Sequence, residues 1–287
     1  MFNYYLPDFY SNAALICFLA DMIEHRPEWF YEGIRIGAAY GSFPSAIWNG
    51  GRVFINSTNK KQMQKYIEEL NSRGIAVRYT FTNPLLEEKH LSDTFCNLCM
   101  ELADNGLNEV IVNTQVLEDY IRKEYPRFKL ISSTTKCLAD EAAIRAELEK
   151  DYYLVVTDSA LNNTDLLFSL DHKDKIELIV DHGCRDNCPN RREHYNIIGR
   201  AMLTFDEPQM KECPYVRREF AELKENASFI TNEMIFGKYK DMGFKHFKLD
   251  GRSFAPHNLV ESFLYYLVRP EYTNNMRAAI YKEIYKF

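Results

Sequence analysis

Residues 176–188 read Ile176-Glu177-Leu178-Ile179-Val180-Asp181-His182-Gly183-Cys184-Arg185-Asp186-Asn187-Cys188. A short β-branched run stops on Asp181 and His182 and passes into a charged, cysteine-bearing segment, as a buried strand does when it ends on a polar turn. The same unit recurs along the chain. Comparable runs cover 34–40, 76–82, 109–113, 129–133, 152–157, 228–231 and 246–250, so that with 176–181 there are eight strand candidates. Between them lie amphipathic stretches with helix punctuation: 59–73 stops at Gly74, 92–105 stops at Gly106, and 140–150 opens acidic and closes basic. Strands alternating with crossover helices predict a parallel sheet. Eight such units without a dividing linker favour a closed (β/α)8 TIM barrel, a single domain over residues 1–287. An open doubly wound sheet is the alternative, but no G-x-G-x-x-G follows the first strand candidate to support it.

The bulk properties fit one large domain. With 46% hydrophobic and 26% charged residues the chain can bury a sizeable core, which argues against disorder. The start, MFNYYLPDFYSNAALICFLADMIEH, has acids and no basic leader, and it reads as a helix of the domain rather than a signal peptide. No apolar run reaches spanning length, so no membrane partner is expected. A net charge of −6 gives no general pull toward nucleic-acid phosphates, although Arg185, Arg191 and Arg192 could bind a local anion. Seven cysteines without an export signal point to a reducing, cytoplasmic setting, and any clustered thiols then suggest metal or redox chemistry.

In a parallel barrel every strand end faces one mouth, where active sites are built. The polar ends include Asn113, Asp158, Asp181 with His182, and Asp250 with Arg252. Asp181, His182 and Asp250 are the acid–base candidates. Asn113, Asp158, Arg252 and His257 are placed to approach a substrate. The segment 40–52 is long, aromatic and glycine-bearing, as a covering loop would be, and it offers Trp48, Asn49 and Arg52 as ligand contacts. A packed plug under the rim is the alternative for that segment.

The longest connection, 183–227, holds Cys184, Cys188 and Cys213, and Cys137 follows the fourth strand candidate. Four thiolates gathered at the mouth would suit tetrahedral zinc or a four-iron, four-sulfur (4Fe-4S) cluster; unligated thiols are the other reading. Cys96 and Cys99 form a C-x-x-C inside a helix and read as small core residues, as does Cys17.

Phe247-Lys248-Leu249-Asp250-Gly251-Arg252 resembles the strand-end F-K-I-E-G-R motif of the U-32 peptidase-like, or collagenase-like, family, and the cysteines after 176–181 fit the same comparison. The resemblance implies a TIM barrel with a 4Fe-4S cluster on Cys137, Cys184, Cys188 and Cys213. It also implies hydroxylation or another redox change of a small molecule or nucleobase, with a protein partner compatible; other members are described as peptidases. Two departures stand out: an N-R-G-x-C segment is replaced by Cys188-Pro189-Asn190-Arg191-Arg192 and a solitary Cys213, and Asp250 stands where the motif has glutamate. The first expectation is therefore an iron–sulfur enzyme. A zinc-stabilised or metal-free binding or assembly barrel comes second. A peptidase comes last, because no Ser/His/Asp arrangement or H-E-x-x-H is visible along the chain.

Overall fold

A computed structural model describes residues 1–209 and 219–286. Its strands are β1 (Phe2–Pro7), β2 (Ile34–Gly41), β3 (Ala76–Phe81), β4 (Glu109–Val112), β5 (Lys129–Ser132), β6 (Leu154–Val156), β7 (Ile176–Ile179) and β8 (His246–Lys248). The strands pair in chain order, all parallel, and β8 closes on β1 through Asn3 opposite His246 and Tyr5 opposite Lys248. Helices α1 (Ala13–His25), α2 (Lys60–Asn71), α3 (Thr94–Ala103), α4 (Gln115–Glu124), α5 (Glu141–Leu148), α6 (Asp165–Ser169) and α7 (Arg191–Thr204) follow β1 to β7 in turn. The pieces α8 (Phe220–Leu223) and α9 (Asn232–Met234) precede β8, and α10 (Pro256–Leu267) and α11 (Thr273–Ile280) follow it. This is the expected (β/α)8 barrel.

Two expectations about the strands are corrected. The chain start is a strand and then a helix: Phe2–Pro7 is buried throughout and opens the barrel, and Asp8, at φ 61°, turns the backbone before α1. Both halves are apolar, which is why they read as one element; Pro7-Asp8 is the boundary between them. The run 228–231 lies outside the barrel strands. Ile230 N–H donates to the Val180 carbonyl at 2.9 Å, but Thr231 immediately caps α9 through its hydroxyl. Its apolar residues pack under α10, where the Tyr266 hydroxyl meets the carbonyls of Val180 and Ile230 at 3.2 and 2.9 Å.

Helix punctuation follows the sequence. Asn59, Asp93 and Asp140 accept N–H groups of the first turns of α2, α3 and α5, and Gly74 and Gly106 turn with positive φ beyond α2 and α3. Between strands and helices lies the main apolar core, in which each fully buried large side chain contributes roughly 1.5–3 kcal/mol. Inside the barrel a smaller apolar set, including Tyr5, Tyr40, Ile111, Ile131 and Val156, surrounds a charged layer. Arg78 is fully buried there, its Nε 2.6 Å from Glu109 Oε2 and its Nη1 bonded to Glu177. Its guanidinium lies 3.7 Å from the centroid of the Tyr5 ring, and the Tyr5 hydroxyl is 2.5 Å from His246 Nδ1. Two carboxylates around one buried guanidinium are tolerable only because the charges meet.

Candidate active site

Above this layer the strand ends enclose a cavity of about 500 Å³. Its apolar walls come from Ile111, Val156 and Ile179, and hydroxyls come from Thr80, Ser133 and Thr135. Lys248 and Tyr40 line it from within the barrel, and Cys184, His182, Asp250 and Arg252 line it at the mouth.

The geometry of the mouth follows from the register of two neighbouring strands. Ile179 lies opposite Lys248, and the pairing continues past the strands as Val180 N–H donates to the Lys248 carbonyl at 3.1 Å. His182 and Asp250 are thereby brought face to face. His182 Nδ1 lies 3.1 Å from Asp250 Oδ2, and the same oxygen accepts from Gly183 N–H at 3.3 Å. Asp250 Oδ1 accepts from Gly251 N–H at 2.8 Å. Burial alone would raise the Asp250 pKa, but the His182 bond and charge, with the two N–H groups, hold it well below the usual carboxylate range. Burial would likewise lower His182; its bonds to Asp250 and to the Cys184 side chain instead push it up to about 10. Cys184 answers in the opposite direction. Burial would raise its thiol, but His182, the Arg191 guanidinium and Arg185 N–H bring it below the ordinary thiol value. His182 thus stands between Asp250 and Cys184, with His182 14% and Asp250 31% exposed in their side chains.

Further residues hold this set in place. Asp181 takes no part in lining the cavity; its carboxylate accepts from Asp250 N–H at 2.6 Å and from the Ser262 hydroxyl of α10 at 2.6 Å. Burial pushes its pKa up to about 7, aided by the Asp250 charge. The structure places this acid–base candidate behind the cavity lining, bonded to the Asp250 backbone and to α10. Asp158 is also a support: both of its carboxylate oxygens accept from Arg191 Nη1 at 2.7 Å, and Arg191 Nη2 donates to the Arg185 carbonyl at 2.9 Å. That bridge ties the cysteine-bearing loop to the end of β6.

The other cysteines are disposed differently. Cys137 is half-buried at φ 53°, its thiol 3.6 Å from the Thr135 carbonyl, and burial raises its pKa. Cys188 is half-buried, with its carbonyl accepting from Arg191 N–H. Cys213 lies outside the described residues. Among the described residues no three His, Cys, Asp or Glu side chains gather to hold a metal ion. Cys17, Cys96 and Cys99 are buried in the core, and burial raises all three thiols.

The expected substrate contacts divide. Arg252 lines the cavity. Trp48 is core: it is fully buried against Phe81 and Tyr120 and donates Nε1–H to the His90 carbonyl at 2.8 Å. Asn49 is buried and braces the loop, accepting from the Thr80 hydroxyl at 2.7 Å and donating to the Arg52 carbonyl at 3.0 Å. Arg52 is paired with Asp8 at 2.5 Å. Asn113 donates to the Thr135 hydroxyl at 2.7 Å beside the cavity wall. His257, 58% exposed in its side chain, faces Glu219 and does not line the cavity. The segment is therefore chiefly the packed plug. Sequence reasoning overlooked Lys248, although alternation places it on the same inward face as Asp250, two residues on.

A closed parallel barrel with a polar, thiol-bearing mouth defines the class of protein. The comparisons narrow it. The solved structure of a U32 peptidase superposes with a TM-score of 0.53 at 13% identity, covering 88% of this chain and 93% of that one. This chain thus has the U32 peptidase-like barrel fold. A protein named as an uncharacterized protease of Methanocaldococcus jannaschii is 22% identical over 228 residues, 75% of this chain. The match spans 66% of that relative, just under two thirds of its length. No protein-family model matches the chain. No described helix is long and apolar enough to cross a membrane.

Proposed function

We infer that this chain is a thiol-dependent amide hydrolase of the U32 peptidase type, with Cys184 as nucleophile, His182 as general acid and base, and Asp250 as the group that orients and charges the imidazole. The observation that carries it is the His182–Asp250 contact of 3.1 Å at the mouth of a cavity that Cys184 also lines, where His182 brings the Cys184 thiol below its ordinary value. The Cys184 thiolate adds to the substrate carbonyl carbon, and the carbonyl electron pair moves to oxygen. As the tetrahedral adduct collapses, His182 gives its proton to the leaving nitrogen, the C–N bond breaks and a thioester remains. His182, now neutral, takes a proton from water as that water adds to the thioester. Collapse expels the Cys184 thiolate, leaving a carboxylic acid product and restoring the imidazolium. Asp250 keeps its charge throughout, and among the described residues its carboxylate bonds only to His182 and backbone N–H groups. The protease and peptidase names of the similar proteins agree with this class.

The iron–sulfur expectation fits the described residues less well. A cluster on four cysteines needs converging thiolates, whereas Cys184 is paired with His182 and Cys137 is turned toward the Thr135 carbonyl. The same argument weighs against zinc. Hydrolysis of a short-peptide mixture, followed by mass spectrometry, tests the proposal. Wild type should release free amines, and Cys184→Ala should abolish the release. Hydrolysis that survives Cys184→Ala would overturn the assignment of the nucleophile.

A further inference from the structure

Two cations of the cavity have no part in the chemistry above. Lys248 is almost wholly buried on β8, its ammonium 3.5 Å from Glu177 Oε1 and 4.1 Å from the centroid of the Tyr40 ring. Arg252 approaches the same ring, with its guanidinium carbon 5.8 Å from the centroid. Three residues from two segments hold Arg252 in place. Its Nη1 donates to the Gly50 carbonyl at 3.2 Å and to the Thr80 hydroxyl at 3.1 Å, while its own carbonyl accepts from Arg52. Gly51, at φ 77°, leaves room for the guanidinium: a Cβ there would collide with Arg252 Nη2. Gly51 therefore serves the arginine directly, whereas a Cβ on Gly50 would collide with Thr82.

The neighbouring charges are matched elsewhere. Arg52 is paired with Asp8, His182 with Asp250, and Arg191 with Asp158. Glu177, the nearest acid to Lys248, already meets Arg78. Arg252 forms no ion pair with a described residue, and its side-chain bonds to described residues go only from Nη1 to neutral oxygens. A fixed guanidinium facing a cavity, with the Lys248 ammonium lining the same cavity, is the arrangement that receives a planar anion through a two-pronged bond. The cavity, about 500 Å³, takes a small compound or one chain end rather than the middle of a folded chain.

We propose that Arg252, backed by Lys248, binds a carboxylate of the substrate, so that the chain acts on amides carrying a free carboxylate near the scissile bond, as at the C-terminal end of a peptide. The claim about hydrolysis rests on the thiol reading above; the claim about binding does not. Burial and the neighbouring Arg52 both weaken the hold of Arg252 on its proton, and a bound carboxylate would restore it.

Calorimetric titration of the Cys184→Ala protein separates the two claims. The probes are N-acetyl-glycyl-glycine, the same dipeptide as its C-terminal amide, and inorganic phosphate. The acid should bind at least tenfold more tightly than the amide and more tightly than phosphate. In Arg252→Gln the preference for the acid should shrink to less than threefold, and Lys248→Met should reduce it by a smaller factor. Equal or undetectable binding of acid and amide overturns the proposal, as does a preference that survives Arg252→Gln in a folded variant or tighter binding of phosphate. The comparison of acid with amide needs no change at Arg252, so it remains decisive if that variant fails to fold. Absent hydrolysis in wild type with the acid preference intact would sink the thiol mechanism and leave this site standing.

Discussion

Replacing Asp250 by Asn should separate the thiolate from its proton donor. His182 is held as an imidazolium up to about pH 10, and the charge of Asp250 is a principal cause. The amide of Asp250→Asn has no charge to offer, so burial regains control of the ring and favours its neutral form. Cys184 then loses the cation that keeps its thiol below the ordinary range, although Arg191 remains nearby. An ordinary thiol, with a pKa of about 8.5, is only ~1% ionised at pH 6.5. Alkylation of Cys184 by iodoacetamide at that pH should therefore fall by roughly 10- to 100-fold in the variant. The upper figure is a ceiling, because a thiolate of higher pKa is intrinsically the better nucleophile. At alkaline pH the two proteins should converge. Quantifying the alkylated Cys184 peptide by mass spectrometry, with Cys137 and Cys188 as internal references, reads the effect. Equal rates at pH 6.5, or a wild-type rate that climbs with an ordinary thiol midpoint, would refute the ion-pair argument.

Three further outcomes are expected. The folded pKa of His182 lies above its ordinary 6.5, so its contribution to stability is whole below that pH and is lost as pH rises through about 10. The thermal midpoint of wild type should accordingly fall from pH 7 to 10 more steeply than that of His182→Gln, and parallel curves would contradict this. Asp181 has its pKa raised from 3.8 to about 7, so ionising it costs stability across that interval. Asp181→Asn should gain on wild type in urea midpoint between pH 5 and pH 8, and a loss over that range would count against the assignment. Arg78→Met strands Glu109 and leaves Glu177 with Lys248 at 3.5 Å, and should cost about 3–5 kcal/mol in urea unfolding. Adding Glu109→Gln, which removes the stranded carboxylate and leaves the Glu177–Lys248 pair, should recover part of it; a single-variant cost below about 1 kcal/mol would mean the buried charges are not coupled.

The barrel was legible in the sequence because its evidence is local. Strand runs such as 76–81 and 176–179 are followed within two residues by polar ones, Thr82 and Asp181, and helices stop at Gly74 and Gly106. Where local signals merged, as at Pro7-Asp8 between two apolar elements, the strand was lost; where an apolar run was buried outside the barrel, as at 228–231, one was wrongly added. The site was legible only in part. His182 and Cys184 stand two residues apart and announce themselves, but the acid that charges them comes from 68 positions away. No spacing rule connects Asp250 with His182. They meet because β7 and β8 are neighbours in a closed barrel whose register sets Ile179 against Lys248. Closure also turns Lys248 and Arg252 into one cavity, where each alone reads as an ordinary charge. The residue types and the repeating units were determined by the sequence itself; which thiol lies beside His182 and Asp250, which acid is buried behind the cavity, and which cations line it were decided by the register of the last two strands.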